Sequence, residues 1–528
     1  MKVEKIKKYA IPALIFLFIV IITFFFYKDM VTKELVSVKY KIAYIIISIV
    51  LSLILLLIGI FVYKKKEIAP EKFFIIFGTI LGIVYMFATP ILKAHDEMYH
   101  WYKAYAVSEL NFLPDYEKDG LIYDSLPENV QWLSDDTGVF YERNYVKTIK
   151  TALQLIFSDA IYGESTNKIL VENTPTAYYP FIQMAPQAIG IAASRLLDGN
   201  ILVQAYAGRL GNLIFFLISG YFAIKLLPNR KFILLVLLLS PKVMYISASL
   251  SGDVFTNGIC ILLFAYILNL VHTKRHIKIW EYFLLLFMII SVAVCKIVYI
   301  PLCFFILLIP TECFGKDNDD ISKKKKIRYT ILISFILIAI IIGFAWLSIS
   351  SGYLGTSKPN SKLQVTYILT HPFEYCATLL RNIADNFVYY SLDMVGGWMQ
   401  WGQMFELYPI ISFSVFVLMF FAFFVDKDIF ELKLWQKIFL GIFFLGIVVL
   451  ILTSLYVQWN SVSTEDIGTS QINGVQGRYF TPIFMIIPFL FSNRLLEINK
   501  KVSSHGIYYG IIAITLPTVL SIVVMNIL

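Results

Sequence analysis

Two adjacent carboxylates sit between two histidines in the octapeptide KAHDEMYH, Lys93 to His100. Carboxylates and imidazoles are the groups that most readily move protons near neutral pH, and both also ligate metals. If HDEMYHWYKAY is helical, His100 and Lys103 lie within about 40° of Asp96 around the axis, and Glu97 lies about 100° away. Asp96, Tyr99, His100 and Lys103 then form one polar stripe. A carboxylate in such a stripe can take a proton from a hydroxyl as general base, or hold a metal. The competing reading is a solvated helix start, whose acids complement the helix dipole.

A second candidate is GVQGRYFTPI, Gly474 to Ile483. Its glycines permit a tight turn, and Arg478 stands at the mouth of the apolar run that follows, flanked by Gln476 and Tyr479. A fixed guanidinium can hold a phosphate bidentately. It can equally snorkel to headgroups or pair with an acid. Lys296 interrupts the apolar run IISVAVCKIVYIPLCFF. Inside such a run a lysine faces protein or a cavity, where it neutralises a phosphate or pairs with Asp253. Asp253, in LSGDVFTN, is a ligand or a helix cap. Trp398, in VGGWMQWGQ, is an interfacial anchor or a stacking surface for a sugar, as is Trp401. Lys242 is less specific, and Arg209 can snorkel to the interface. Phosphate-loop, dinucleotide-fold, HExxH and G-x-S-x-G signatures are missing, so ATP coupling and soluble nucleotide-sugar chemistry have no support.

The elements that must position these residues are hydrophobic. Of 528 residues, 58% are hydrophobic and 15% charged, where a soluble domain carries about a quarter charged. Many apolar runs reach about 20 residues, enough to span a bilayer, and they continue to Leu528, which a cleaved signal peptide does not explain. The net charge of +9 comes from lysine blocks (MKVEKIKK, YKKKE, KKKKIR, NKK). These fit cytoplasmic loops and argue against nucleic-acid binding. The five cysteines show no metal-like or disulfide-like spacing.

An all-α polytopic bundle follows, with about thirteen spans: residues 9–27, 42–63, 73–92, 201–227, 232–250, 254–271, 280–294, 297–311, 329–350, 408–425, 437–457, 479–496 and 506–526. The whole chain, 1–528, reads as a single integral-membrane domain. With the basic N-terminus cytoplasmic, the third span carries Asp96 outward. A long, mostly polar stretch from Lys93 to Pro180 follows, and loops of this length are more often functional than idle. Residues 179–198 are ambiguous; taken as a juxtamembrane element, they extend this first extracytoplasmic region to 93–200. A second outer segment covers 352–407. KAHDEMYH, SLSGD, VGGWMQWGQ and GVQGRYF then all face the extracytoplasmic side, as the parts of one site would.

The order HDE..H..KAY after a span, then YYP, R..N, SLSGD, K.VY.PL, VGGW and GVQGRYF.P resembles a bacterial family of polytopic membrane proteins labelled as a domain of unknown function. That family is similar to the GT-C class of integral-membrane glycosyltransferases. The resemblance covers nearly all of the chain after the first two spans. It implies an inverting glycosyltransferase in the bacterial plasma membrane, using a polyprenyl-phosphate sugar donor and a cell-envelope glycan acceptor. Asp96 matches the acidic residue of the first large outer loop in GT-C enzymes, with Glu97 as its possible substitute. His100, Lys103, Asp253, Lys296, Trp398, Gln476, Arg478 and Tyr479 are the expected substrate contacts. No cofactor is fixed, and dependence on a divalent metal stays open. Two departures stand out. The proline before the family's acidic pair is lost here (Ala94-His95-Asp96-Glu97). The family's Gly-Trp element, often followed by an acid, reads GGWMQWGQ. The alternatives are a flippase or transporter of lipid-linked sugars, and a glycan polymerase or ligase.

Overall fold

The computed structural model describes residues 68–133 and 167–527, apart from 90, 119–120, 178, 317, 358–359, 401–404, 408, 426–429 and 493–499. The first two expected spans, 9–27 and 42–63, and Trp401 lie outside the described residues. The described chain is mostly helical. Five of its helices are long and apolar enough to cross a membrane: residues 70–88, 201–226, 253–273, 321–349 and 434–459.

The first described helix, α1 (Pro70–Ala88), shows why such segments suit a bilayer. Ile76, Ile80, Ile83 and Phe87 are exposed at helical spacing, while Phe73, Phe74, Phe77 and Leu81 are buried on the other side. A helix that is apolar all round belongs inside a large core or a membrane. A turn leads into α2 (Glu97–Ser108), beyond which lies an element not expected from the sequence: an antiparallel sheet of β1 (Tyr116–Lys118), β2 (Leu121–Pro127) and β3 (Lys168–Glu172). In β2, Ile122, Asp124 and Leu126 alternate inward, the period of a strand with one buried face. The five-residue helix α3 (Glu128–Trp132) follows β2.

Helix α4 (Phe181–Arg195) has 15 residues and packs against α5 (Ile201–Leu226). The two backbones approach closely: a Cβ at Gly211 would stand 2.1 Å from the Pro186 carbonyl oxygen. Small residues at such contacts let membrane helices touch.

Three of the expected spans are not continuous α-helices, and proline explains each. Residues 232–250 divide into α6 (Lys231–Leu238) and α7 (Pro241–Ser247), because Pro241 opens a new helix. Helices α8 (Asp253–Thr273) and α9 (Ile279–Cys295) follow. Residues 297–308 then form a 3-10 segment containing Pro301. After α10 (Ile321–Ser357) and α11 (Ser361–Thr370), α12 (Pro372–Val395) leads to the short pair β4 (Trp398–Gln400) and β5 (Phe405–Glu406). Beyond α13 (Pro409–Phe423) and α14 (Leu434–Trp459), the expected span 479–496 starts as a 3-10 segment, Gly477–Ile483, followed by α15 (Ile486–Leu490). Pro482 and Pro488 lie in these two pieces. Helix α16 (Lys500–Ile527) covers the last expected crossing.

Candidate functional site

Asp96 does not lie on α2. It precedes the helix in the left-handed region, at φ 59° and ψ 12°, a conformation that Asp tolerates better than most residues. The assumed helical stripe therefore breaks at its first member. Asp96 Oδ2 accepts a hydrogen bond from Arg478 Nη2 at 2.5 Å. Arg478 Nη1 stands 3.3 Å from Asp253 Oδ2, and Lys296 Nζ lies 2.6 Å from Asp253 Oδ1. Asp253 is the first residue of α8 and Gly252 its N-cap, and the Asp253 carboxylate meets the two cations.

The Tyr479 ring lies beneath both cations, 4.9 Å from Lys296 Nζ and 5.4 Å from the Arg478 guanidinium carbon. Its carbonyl accepts the Tyr299 hydroxyl at 2.8 Å. Arg478 is 3% exposed, yet its Nε and Nη1 lack a hydrogen-bond partner among the described residues, as does the buried Oε1 of Gln476. Buried polar atoms are rarely left so. The Asp96 side chain is 39% exposed, which makes it the open edge of the cluster.

His100 comes from α2 to the same place. The Gly252 N–H approaches its Nδ1 at 3.4 Å, and its ring lies 5.5 Å from that of Tyr179. Burial lowers its pKa to about 4, with Asp96 and Asp253 opposing and Arg478 and Lys296 assisting. Burial, helped by Lys242 and Arg478, lowers that of His95 to about 2. Both imidazoles are therefore neutral near pH 7.

Three expected site residues, Glu97 as the catalytic substitute and Lys103 and Trp398 as substrate contacts, are engaged elsewhere. Glu97 is fully buried and holds Arg209 bidentately, with Arg209 Nε to Oε1 and Nη2 to Oε2 both at 2.8 Å. The same guanidinium donates to the carbonyls of Met86 and Thr89, tying the end of α1 to the start of α2. Backbone N–H groups of Ala94 and Leu250 also point at Glu97. With every lone-pair direction occupied, Glu97 anchors its neighbour Asp96 and is not placed to replace it. Arg209 correspondingly does not snorkel. Lys103 turns from the cluster toward the sheet and donates to the Phe112 carbonyl at 3.0 Å. Burial lowers its pKa, against the charges of Asp124 and Asp115. Trp398 takes part through its main chain: its N–H donates to Asp393 Oδ1 at 3.2 Å and its carbonyl accepts Lys242.

The loop before Asp253 shows how irregular backbone is accommodated in an apolar surround. Asn212 donates to the carbonyls of Ser249 and Ser251, Gln187 to that of Leu250, and Gln183 to that of Gly252. Buried main-chain polar groups outside regular helices need such partners.

Two residues of this region escaped sequence reading as a pair, Lys242 and Asp393. Their side chains meet at 3.2 Å and both are buried. Asp393 precedes the Gly-Gly-Trp element, on the opposite side from where the family pattern places an acid.

No group of three His, Cys, Asp or Glu side chains among the described residues is arranged to hold a metal ion. Asp96 and Asp253, the acids best placed to do so, are each engaged with a cation. These donors do not fit a divalent metal.

The chain belongs to the DUF2142 family, described as a predicted membrane protein, whose model matches residues 79–487. The matched region holds every residue of the Asp96 and Asp253 cluster. No curated protein and no solved structure matches the chain.

Proposed function

We propose that this DUF2142 membrane protein is a GT-C-like glycosyltransferase. On this reading it moves a sugar from a polyprenyl-phosphate donor to a hydroxyl of a cell-envelope glycan, at the outer face of a bacterial plasma membrane whose cytoplasmic side holds the N-terminus. The observation that carries this reading is the contact between a partly exposed carboxylate, Asp96, and a buried guanidinium, Arg478, at 2.5 Å.

A glycosyl transfer from a lipid phosphate needs a base for the acceptor and a cation for the leaving group. Without substrate, these two groups neutralise each other. A donor phosphate exchanges for Asp96 on Arg478, using the guanidinium atoms that lack hydrogen bonds, and the released carboxylate becomes a free base. The acceptor oxygen attacks the anomeric carbon with inversion as its proton passes to Asp96. The bond from that carbon to the phosphate oxygen breaks, and its electron pair leaves with the polyprenyl phosphate. Arg478 and Lys296 stabilise that charge in a surround of low dielectric.

The test is polyprenyl-phosphate release from a polyprenyl-phosphate hexose by the purified full chain. Asp96→Asn should lower it by about 10²-fold or more, the scale of a lost general base. Undiminished transfer by that variant would remove Asp96 from the role.

A second reading has its own support: the breaks at Ser240, Lys296 and Phe484 interrupt apolar segments beside the cluster. Discontinuous helices are the mark of transporter sites. Flipping of a labelled lipid-linked sugar in proteoliposomes, without release of polyprenyl phosphate, would favour this reading over the first.

A further inference from the structure

Asp393 lies in the last turn of α12 and is 3% exposed. Its Oδ2 accepts the Gly477 N–H at 2.7 Å. Its Oδ1 accepts Lys242 Nζ and the Trp398 N–H, each at 3.2 Å. One carboxylate, neutralised by one ammonium, thereby joins α7, α12, β4 and the 3-10 segment bearing Arg478. Two glycines make the junction possible. A Cβ at Gly477 would stand 2.3 Å from Met394 N and 2.4 Å from Tyr390 O, so only glycine brings this N–H so close to α12. Gly397 has φ +62° and turns the chain back over Asp393.

We propose that Asp393 is a positioning residue for Arg478, acting through the Gly477 N–H, with Lys242 as its counter-charge. Among the described residues the charged partners of Arg478 are two carboxylates, and two of its guanidinium nitrogens lack hydrogen bonds. Once an anion replaces Asp96, the main-chain anchor one residue earlier acts with the remaining Asp253 contact to keep the guanidinium in register with Lys296. The separate motifs VGGW and GVQGRYF thus meet at a single carboxylate. Only the consequence for anion binding rests on the glycosyltransferase reading; the geometric claim does not.

The experiment is a double-mutant cycle on the unfolding of the purified full chain in detergent, with Asp96→Asn and Arg478→Gln. It is run in the wild-type background and again with Asp393→Asn. The coupling between Asp96 and Arg478, as a ratio of unfolding constants, should fall by roughly threefold when Asp393 is changed. Asp393→Asn leaves Lys242 buried without its carboxylate. The double variant Asp393→Leu/Lys242→Met removes both charges and carries the same test if the single variant does not fold.

Binding of polyprenyl phosphate is measured alongside and should weaken about tenfold in the variant used. Coupling unchanged in a destabilised variant, with binding also unchanged, would overturn the positioning role. Reduced coupling in a protein that does not bind polyprenyl phosphate at all would uphold it and count against the glycosyltransferase reading alone.

Discussion

Arg478 reaches Asp96 across 382 positions of sequence, at 2.5 Å, while its Nη1 stands 3.3 Å from Asp253. One guanidinium thus joins the turn before α2 to the first residue of α8. The two ends differ in access: the Asp253 side chain is 8% exposed and that of Asp96 39%. On the proposed reaction, a ligand entering from the open edge meets the Asp96–Arg478 pair first, and that pair is the one that exchanges partners.

Arg478→Lys should separate charge from geometry. A lysine keeps the positive charge but cannot present a planar fork to two groups at once. On the proposed reaction, polyprenyl-phosphate release should fall by about 10²–10³, the cost of losing a transition-state donor. The measurement is release under single-turnover conditions. A variant as fast as wild type would show that only the charge matters.

Glu97 and Asp96 are neighbours with opposite expected phenotypes. Glu97 is fully buried against Arg209, so Glu97→Gln should destabilise the protein by about 3–5 kcal/mol, because it leaves an uncompensated guanidinium. Asp96 is partly exposed, so Asp96→Asn should cost about 1 kcal/mol or less in stability while removing transfer. Thermal unfolding of both variants in one detergent checks the contrast. Equal melting of the Glu97→Gln variant and wild type would refute the anchor role.

The helical, apolar character of the chain was legible because runs of about 20 apolar residues leave few alternatives to membrane helices. The meeting of Asp253 with Lys296 was one of two options open in the sequence, and the ion pair is what the structure holds. Helical spacing misled at Asp96 for a local reason: the wheel assumes helical dihedrals, and Asp96 has φ 59°. The stripe therefore starts at Glu97, which sends that carboxylate to Arg209 and Lys103 toward the sheet. The sheet escaped notice because its strands are short and two of them are separated by some forty residues. Asp393 escaped because two of its partners, Lys242 and Gly477, lie 151 and 84 positions away, beyond any local pattern. The broken spans, by contrast, were marked by Pro241, Pro301, Pro482 and Pro488.

The buried imidazoles predict how stability depends on pH. The pKa of His100 falls from 6.5 to about 4 on folding, and that of His95 from 6.5 to about 2. Below pH 6.5 the unfolded chain binds protons at these positions that the folded chain does not, so unfolding becomes easier as pH falls. The His100 contribution is fully present above pH 6.5 and is lost between 6.5 and about 4; the His95 contribution continues to decline below that. For His100 the loss is on the order of 3 kcal/mol, from the free energy of one pKa unit. Unfolding midpoints measured between pH 7 and 4 test this in wild type and His100→Gln. Wild type should lose stability steadily through the window, and His100→Gln should reduce the slope by up to one proton. An unchanged slope would mean that His100 takes its proton in the folded protein, and that the cluster around Asp96 and Asp253 accommodates an imidazolium.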